Sequence, residues 1–111
     1  MTLVTLPDQA GDNAAHTIAS LITAAGMTLP SPPLARTLLF REISGGTTGS
    51  RVGGSNVTGT RGIPFSASDN VMLPELLAGS GLGDSAWDLT QVYVYLATGD
   101  TVAIAYVPLY D

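Results

Sequence analysis

The clearest pattern in the sequence is an apolar–polar alternation with a period of two in segments 91–97 and 101–107. In the first segment the two faces are Val92, Val94 and Leu96 against Tyr93 and Tyr95. In the second segment both faces are largely apolar, with Val102, Ile104 and Tyr106 against Ala103, Ala105 and Val107. The connection 98–100 contains Gly99, which can adopt a positive φ, so the pattern predicts a β-hairpin. Apolar residues on both faces favour a central position in the fold.

Shorter β-type segments precede this pair. Segment 37–43 places Leu38 and Phe40 on one face and the set Leu39, Arg41 and Ile43 on the other. Further short strands are predicted at 51–52, 63–65 and 71–73, with Pro64 favouring a sheet edge. Segments 44–50 and 76–87 are rich in glycine and typical of loops. We therefore expect a mainly β fold, a small antiparallel β-sandwich or barrel with one N-terminal α-helix.

That single helix is predicted over residues 12–25, where Ile18, Leu21, Ile22 and Ala25 fall at helical spacing. Asp12 or Asn13 is expected to cap its N-terminus, and Gly26 to end it in a left-handed conformation. Three prolines in segment 27–35 then predict an extended linker. The expected organisation is an N-terminal arm over residues 1–35, containing the helix and the linker, and a β-sandwich or barrel domain over residues 36–111.

The chain is poor in charge and the charges are unevenly placed. Only 12% of its 111 residues are charged, about half the fraction usual for soluble domains, whereas 45% are hydrophobic. All four basic residues lie within segment 36–61, where Glu42 is the only acid. Chance would account for this clustering, and so would a basic patch that meets an acidic surface on an identical neighbour. A net charge of −5 argues against nucleic-acid binding.

Composition also excludes several kinds of chemistry. The chain has no cysteine, no lysine and one histidine, His16. Thiolate nucleophiles, cysteine-based metal sites, Schiff-base chemistry and the lysine of a phosphate-binding loop are therefore excluded. No apolar run approaches the 18 residues typical of a membrane span, and no secretory signal is visible. We expect no enzymatic activity, no cofactor and no metal.

Trp87 lies between Asp84 and Asp88, which suggests two functional interpretations. A tryptophan beside acids is a common platform for sugars, and a pair of carboxylates is what a glycosidase requires. The simpler interpretation is that Trp87 fills the core ahead of a strand while the aspartates cap turns. Calcium binding by these acids with Asp100 lacks a recognisable ligand spacing. The glycine-rich run 45–50 resembles a phosphate loop in composition only.

Two longer segments carry a family resemblance. They are RVGGSNVTGTRGIPF at 51–65 and LTQVYVYLATGDTV at 89–102. Together they resemble small structural proteins of tailed bacteriophages, and the resemblance covers residues 36–111. It rests on strands and turns and contains no catalytic signature. It implies a virion component such as a head decoration or cement protein or a tail-associated β-module, which is assembled in the host cytoplasm and located in the virion.

The sequence thus predicts a non-enzymatic capsid decoration or stabilising protein. Its expected partners are copies of itself, a trimer being one option, and the phage major capsid protein or other virion proteins, with no nucleic acid and no membrane. The β domain is expected to self-associate, while segment 1–33 or segment 108–111 binds the shell. The expected interface residues are Arg36, Arg41, Arg51, Arg61, Tyr93, Tyr95, Leu109 and Tyr110.

The alternative is a carbohydrate-binding β-sandwich module of a virion fibre or tail. In that case Trp87, Tyr93 or Tyr95 would provide the surface on which a sugar ring stacks.

Overall fold

The computed structural model describes residues 2–44, 49–65, 70–73 and 86–110, and these form two antiparallel sheets with one helix. The elements in chain order are β1 (Val4–Thr5), β2 (Gln9–Ala10), β3 (Ala14–Thr17), α1 (Ile18–Ala24), β4 (Leu34–Ser44), β5 (Arg51–Gly53), β6 (Ile63–Pro64), β7 (Asn70–Leu73), β8 (Trp87–Asp88), β9 (Tyr93–Leu96) and β10 (Thr101–Pro108). This confirms the expected mainly β, sandwich-type fold with an N-terminal helix.

Strand β10 lies in the middle of the six-stranded sheet. It pairs with β4 along one side and with the short strands β1 and β2 along the other, and β4 in turn pairs with β7 and β8. The register between β4 and β10 shifts at both ends of the pairing, between Thr101 and Val102 and between Val107 and Pro108. The four-stranded sheet has the order β3-β9-β5-β6, so β9 is also central and β6, with Pro64, is at an edge as predicted.

The alternation read from the sequence determines which side chains form the core. On each long strand the predicted face is buried, and the opposite residues are half-buried or exposed. Both sheets and the helix contribute to one apolar cluster, whose largest fully buried members are Tyr106, Phe40, Phe65, Ile18, Ile22, Leu38, Leu89, Leu96 and Ile104. Phe40 and Phe65 stack across the two sheets with ring centroids 6.3 Å apart.

The predicted hairpin between β9 and β10 is wrong. Strand β9 belongs to the four-stranded sheet and β10 to the six-stranded sheet, so they share no ladder. Segment 97–100 instead forms a β-arch, in which the chain crosses from one sheet to the other. The buried faces of the two strands contribute to the same core, which gives each strand the alternation expected of a hairpin. Gly99 does have a positive φ, of 94°, as predicted.

Buried polar groups and a close backbone contact hold the β-arch. The hydroxyl of Ser50 donates to Asp100 Oδ2 at 2.6 Å, and it accepts from the backbone N–H of Ala97 at 3.1 Å. The backbone N–H of Gly11 donates to the carbonyl oxygen of Asp100 at 2.9 Å. The backbone at Gly11 lies so close to the β-arch that an added Cβ would be 1.7 Å from the carbonyl oxygen of Ala97.

The helix is shorter than predicted, because its expected first turn is a strand. Segment Ala14–Thr17 pairs with β9, and α1 begins at Ile18 with Thr17 as its N-cap, which accepts from the backbone N–H of Ser20 at 3.1 Å. Asn13 does not cap the helix. It has a φ of 57°, and its side chain accepts from the N–H of Thr98 in the β-arch. Gly26, with a φ of 76°, ends the helix as predicted.

Segments on both sides of the expected boundary at residue 35 contribute to the same sheets and the same core. Strands β1 and β2 complete one side of the six-stranded sheet, β3 forms an edge of the other sheet, and Ile18 and Ile22 of α1 lie in the common core. The expected arm is therefore part of the sandwich, because its apolar residues would otherwise remain in water. Segment 27–33 has no regular structure, in agreement with the predicted linker, but Met27 and Leu29 pack against the core.

Candidate interaction surfaces

The outward side of the six-stranded sheet is a candidate surface, which we call the outer face. It is formed by Thr5, Leu39, Arg41, Ala103 and Ala105, which alternate with core residues along their strands. Ala103 pairs with Arg41 and Ala105 with Leu39, so small side chains lie beside large ones. A shallow depression of about 110 Å³ results between them. Such a surface presents apolar groups to a partner without any movement of the backbone.

The outer face carries a single charged side chain. Among its five residues Arg41 is the only charged one, and Glu42, the acid that opposes the arginines in the sequence, is turned inward and 1% exposed. The half-exposed Ile43 lies next to Arg41 on β4 and adds further apolar area. A neighbour that covers this surface would have one guanidinium to desolvate, and arginine is a residue that interfaces tolerate well.

A second candidate surface is a groove of about 390 Å³, which we call the Trp87 groove. Among the described residues, those that line it come from segments 52–54, 87–88 and 91–92 and from Ile63. Val52 and Val92 are buried core residues, Trp87 packs partly against the core, and Ile63 is 53% exposed. The walls are mostly apolar and the groove is open to solvent.

Two polar side chains in the Trp87 groove determine its chemistry. Asp88 accepts from both the backbone N–H and the hydroxyl of Thr90, at 2.9 and 2.6 Å, and both bonds go to Oδ1. These bonds fix the orientation of the carboxylate, and within the described segments Oδ2 makes no hydrogen bond. Gln91 is exposed beside it. The groove therefore combines an aromatic wall with one oriented acceptor.

The four arginines are divided between the two sheets. Arg36 and Arg41 lie on β4, whereas Arg51 begins β5 and Arg61 lies in the turn that leads to β6. Arg51 is engaged within the chain, since its guanidinium donates to the carbonyl oxygens of Gly59 and Gly62 at 3.1 and 3.3 Å. Its contacts indicate that it stabilises this turn. Arg36 is half-buried, while Arg41 and Arg61 are exposed.

The expected aromatic residues also separate. Tyr93 and Tyr95 are half-buried on the side of β9 opposite the core, and neither lines the Trp87 groove. The ring of Tyr95 lies against Gly59, where an added Cβ would be 3.4 Å from Cε1. The structure therefore does not bring together the tryptophan and the two tyrosines as one stacking surface.

The last residues of the described chain lie at the same end of the sandwich as the Trp87 groove. Pro108 pairs with Ala35, and Ala35 pairs on its other side with Trp87. The backbone N–H of Leu109 donates to the carbonyl oxygen of Leu34 at 3.0 Å. Beyond it, Tyr110 is 61% exposed. An exposed aromatic side chain and an open apolar groove thus flank the first residues of β4.

The remaining chemical candidates give weaker sites. His16 Nε2 lies 2.8 Å from Asp12 Oδ2, with both side chains partly exposed. In the segments with described structure, no three acidic, histidine or cysteine residues are grouped to hold a metal. Asp84 and residues 45–48 of the glycine-rich run lie outside the described residues, so the structure does not test the paired-carboxylate and phosphate-loop interpretations. No helix within the described ranges is long and apolar enough to span a lipid bilayer.

Comparison of the chain with protein-family models, curated proteins and solved structures gives no match. The functional proposal therefore depends on the two surfaces, the outer face and the Trp87 groove, and on the chemistry of the residues that form them. Both surfaces suit non-covalent contact with another molecule, the first through a strand face with one charged side chain and the second through an aromatic-walled groove.

Proposed function

We propose that this chain is a non-enzymatic structural protein of a tailed-phage virion, which stabilises the capsid by self-association and by binding shell subunits. The observation that carries the proposal is the outer face, a sheet surface with one charged side chain, Arg41, among five outward residues. Its apolar members Leu39, Ala103 and Ala105 are half-buried, and apolar groups that reach a protein surface together often mark a contact with another protein. The location in the virion rests on the resemblance of segments 51–65 and 89–102 to structural proteins of tailed bacteriophages.

Physical reasons connect such a surface with a stabilising role. Covering apolar surface contributes about 25 cal/mol per Å² before the costs of association are subtracted. In a symmetric shell the same contact is repeated at many equivalent positions, so the total free energy of association is large even when each contact contributes little. Because the backbone of the outer face is already paired in a sheet, binding orders little new chain. A sheet face with a paired backbone and a single charged side chain therefore suits a protein that reinforces an assembly.

The proposal is tested by placing a charge on the outer face. Ala105→Glu introduces a carboxylate whose side chain reaches solvent in the free protein but must be desolvated under a partner. Thr98→Glu is the matched control, since it adds the same charge at the exposed β-arch. Both variants are mixed with purified capsids that lack the protein, after circular dichroism has shown that they fold. Co-sedimentation then measures binding to the particles.

We expect Ala105→Glu to bind at least about tenfold more weakly than the wild type, and Thr98→Glu to bind equally well. Equal binding of Ala105→Glu would refute the role of the outer face. The virion assignment has its own test, which is mass spectrometry of virions from the phage that carries the gene. If the protein is missing from those virions, or if its gene lies among no capsid or tail genes, the assignment is wrong.

A carbohydrate-binding module is the second candidate, and the Trp87 groove favours it. The groove offers an aromatic wall, the Asp88 carboxylate and the Gln91 amide, which are groups that recognise sugars. A glycan array with the wild type, Trp87→Ala and Gln91→Ala would test this candidate. Sugar binding that both variants lose would support a lectin, whereas an array without signal for the wild type would refute it.

A further inference from the structure

The Trp87 groove combines apolar walls with a carboxylate acceptor, and this combination suits an aromatic side chain that has a hydroxyl group. Val52, Val92 and Trp87 give it apolar walls, and Asp88 Oδ2 provides an acceptor held in place through the two bonds of Oδ1 to Thr90. A tyrosine matches this combination, because its ring buries apolar area while its O–H requires an acceptor once it leaves water. Among the described residues that line the groove, Asp88 and Gln91 have polar side chains, and a single hydroxyl group needs only one such partner.

Tyr110 is the described tyrosine that is free to provide such a group to another molecule. It is 61% exposed, whereas Tyr93 and Tyr95 are half-buried and Tyr106 lies in the core. It also lies at the same end of the sandwich as the groove, since the start of β4 separates Pro108 from Trp87. Its exposure shows that it does not fill the groove of its own chain.

We propose that two copies of this chain associate through this end, with Tyr110 of each copy inserted in the Trp87 groove of the other. The phenol O–H then donates to Asp88 Oδ2, and the ring packs against Trp87. Because each copy has both Tyr110 and the Trp87 groove at this end, a two-fold axis between two such ends forms the contact twice. This inference rests on the self-association in the proposed function, and it leaves the outer face available to shell subunits.

The experiment uses Trp87 itself as the probe, because it is the only tryptophan of the chain. Sedimentation equilibrium gives the dimer dissociation constant, and Trp87 emission is recorded over the same concentrations. Tyr110→Ala is expected to weaken the dimer at least about thirtyfold and to remove the concentration dependence of the emission. Tyr110→Phe, which keeps the ring but cannot donate, should weaken it about three- to tenfold.

A variant of the groove and a control variant complete the test. Gly54→Leu adds a side chain at the groove where the backbone φ is not positive and the nearest atom to a new Cβ is 3.9 Å away, so the protein should fold. It should weaken the dimer as Tyr110→Ala does. A mixture of these two variants retains one intact contact per pair and should bind more tightly than either alone. Leu3→Ala, at a similarly exposed apolar residue, should leave the dissociation constant unchanged.

The outcomes separate this inference from the proposed function. If the wild type self-associates and Tyr110→Ala associates equally well, the groove contact is wrong and another surface mediates the association. If the wild type remains monomeric at all concentrations, the inference and the self-association are both wrong, while binding to capsids is still decided by Ala105→Glu. If Trp87 emission changes with concentration in Tyr110→Ala as in the wild type, Tyr110 is not the occupant of the groove.

Discussion

Replacing Ser50 by alanine removes a hydroxyl that connects the β-arch to the start of β5. That hydroxyl donates to Asp100 at 2.6 Å and accepts from the N–H of Ala97 at 3.1 Å. Ser50 and Asp100 are 0% and 1% exposed, so water does not replace a lost bond easily. Alanine is close to serine in volume, and the substitution therefore tests the two hydrogen bonds with little change in packing.

The expected magnitude follows from these two bonds. The Ala97 N–H loses its acceptor, and a buried polar group left unsatisfied costs about 1–3 kcal/mol. The carboxylate of Asp100 loses the short hydrogen bond from Ser50, and hydrogen bonds to charged groups contribute about 1.5–3 kcal/mol. With partial relaxation, we expect Ser50→Ala to lower the free energy of unfolding by about 2–4 kcal/mol. In a domain of this size, the corresponding fall in Tm is at least about 10 °C.

Urea denaturation of Ser50→Ala, Asp100→Asn and the double variant measures both the loss and the coupling between the two residues. Ser55→Ala, at an exposed serine in the turn after β5, is the control and should change stability by less than about 0.5 kcal/mol. We expect a coupling energy of about 1 kcal/mol or more. A Ser50→Ala variant as stable as Ser55→Ala would refute the argument that these bonds hold the β-arch.

Three further substitutions test other parts of the fold. Gly11→Ala should cost about 3 kcal/mol or more in urea unfolding, because its Cβ would overlap the carbonyl oxygen of Ala97, whereas Gly54→Ala should be nearly neutral. Thr17→Ala should cost about 1 kcal/mol in the same assay, through loss of the helix cap. Burial raises the pKa of Tyr106 above its ordinary value of 10.0, so the unfolded chain ionises first and the urea midpoint should fall as pH rises past 10. Tyr106→Phe should reduce this fall.

The alternation of side chains predicted which residues are buried, but it could not predict which strands pair. In β9 and β10 the buried sets were correct residue by residue, because a period of two follows from strand geometry alone. Pairing depends on backbone direction after the connection. Here the bonds of Ser50 and Gly11 to the β-arch support a crossing between the sheets, and both partners come from remote positions in the sequence.

The start of the helix was mispredicted for a related reason. Ala14 and Ala15 are compatible with a helix, and only the position of β9 beside them makes a strand more favourable. Sequence patterns also did not predict the candidate surfaces. The sequence suggests two interpretations of Trp87, a core residue or a platform for sugars. In the structure this residue both packs against the core and lines a groove. The described residues that line the groove are far apart in the sequence, so no local sequence pattern contains the groove.

The position of β10 has a consequence for how the chain acquires its structure. Its sheet partners β1, β2 and β4 all precede it in the chain, so they are synthesised before the strand with which they pair. Until then β4 exposes one unpaired edge along most of its length, a condition that favours association between nascent chains. Folding should accordingly be slow and dominated by distant contacts, and it should depend on chaperones more than the folding of a helical protein of equal length would.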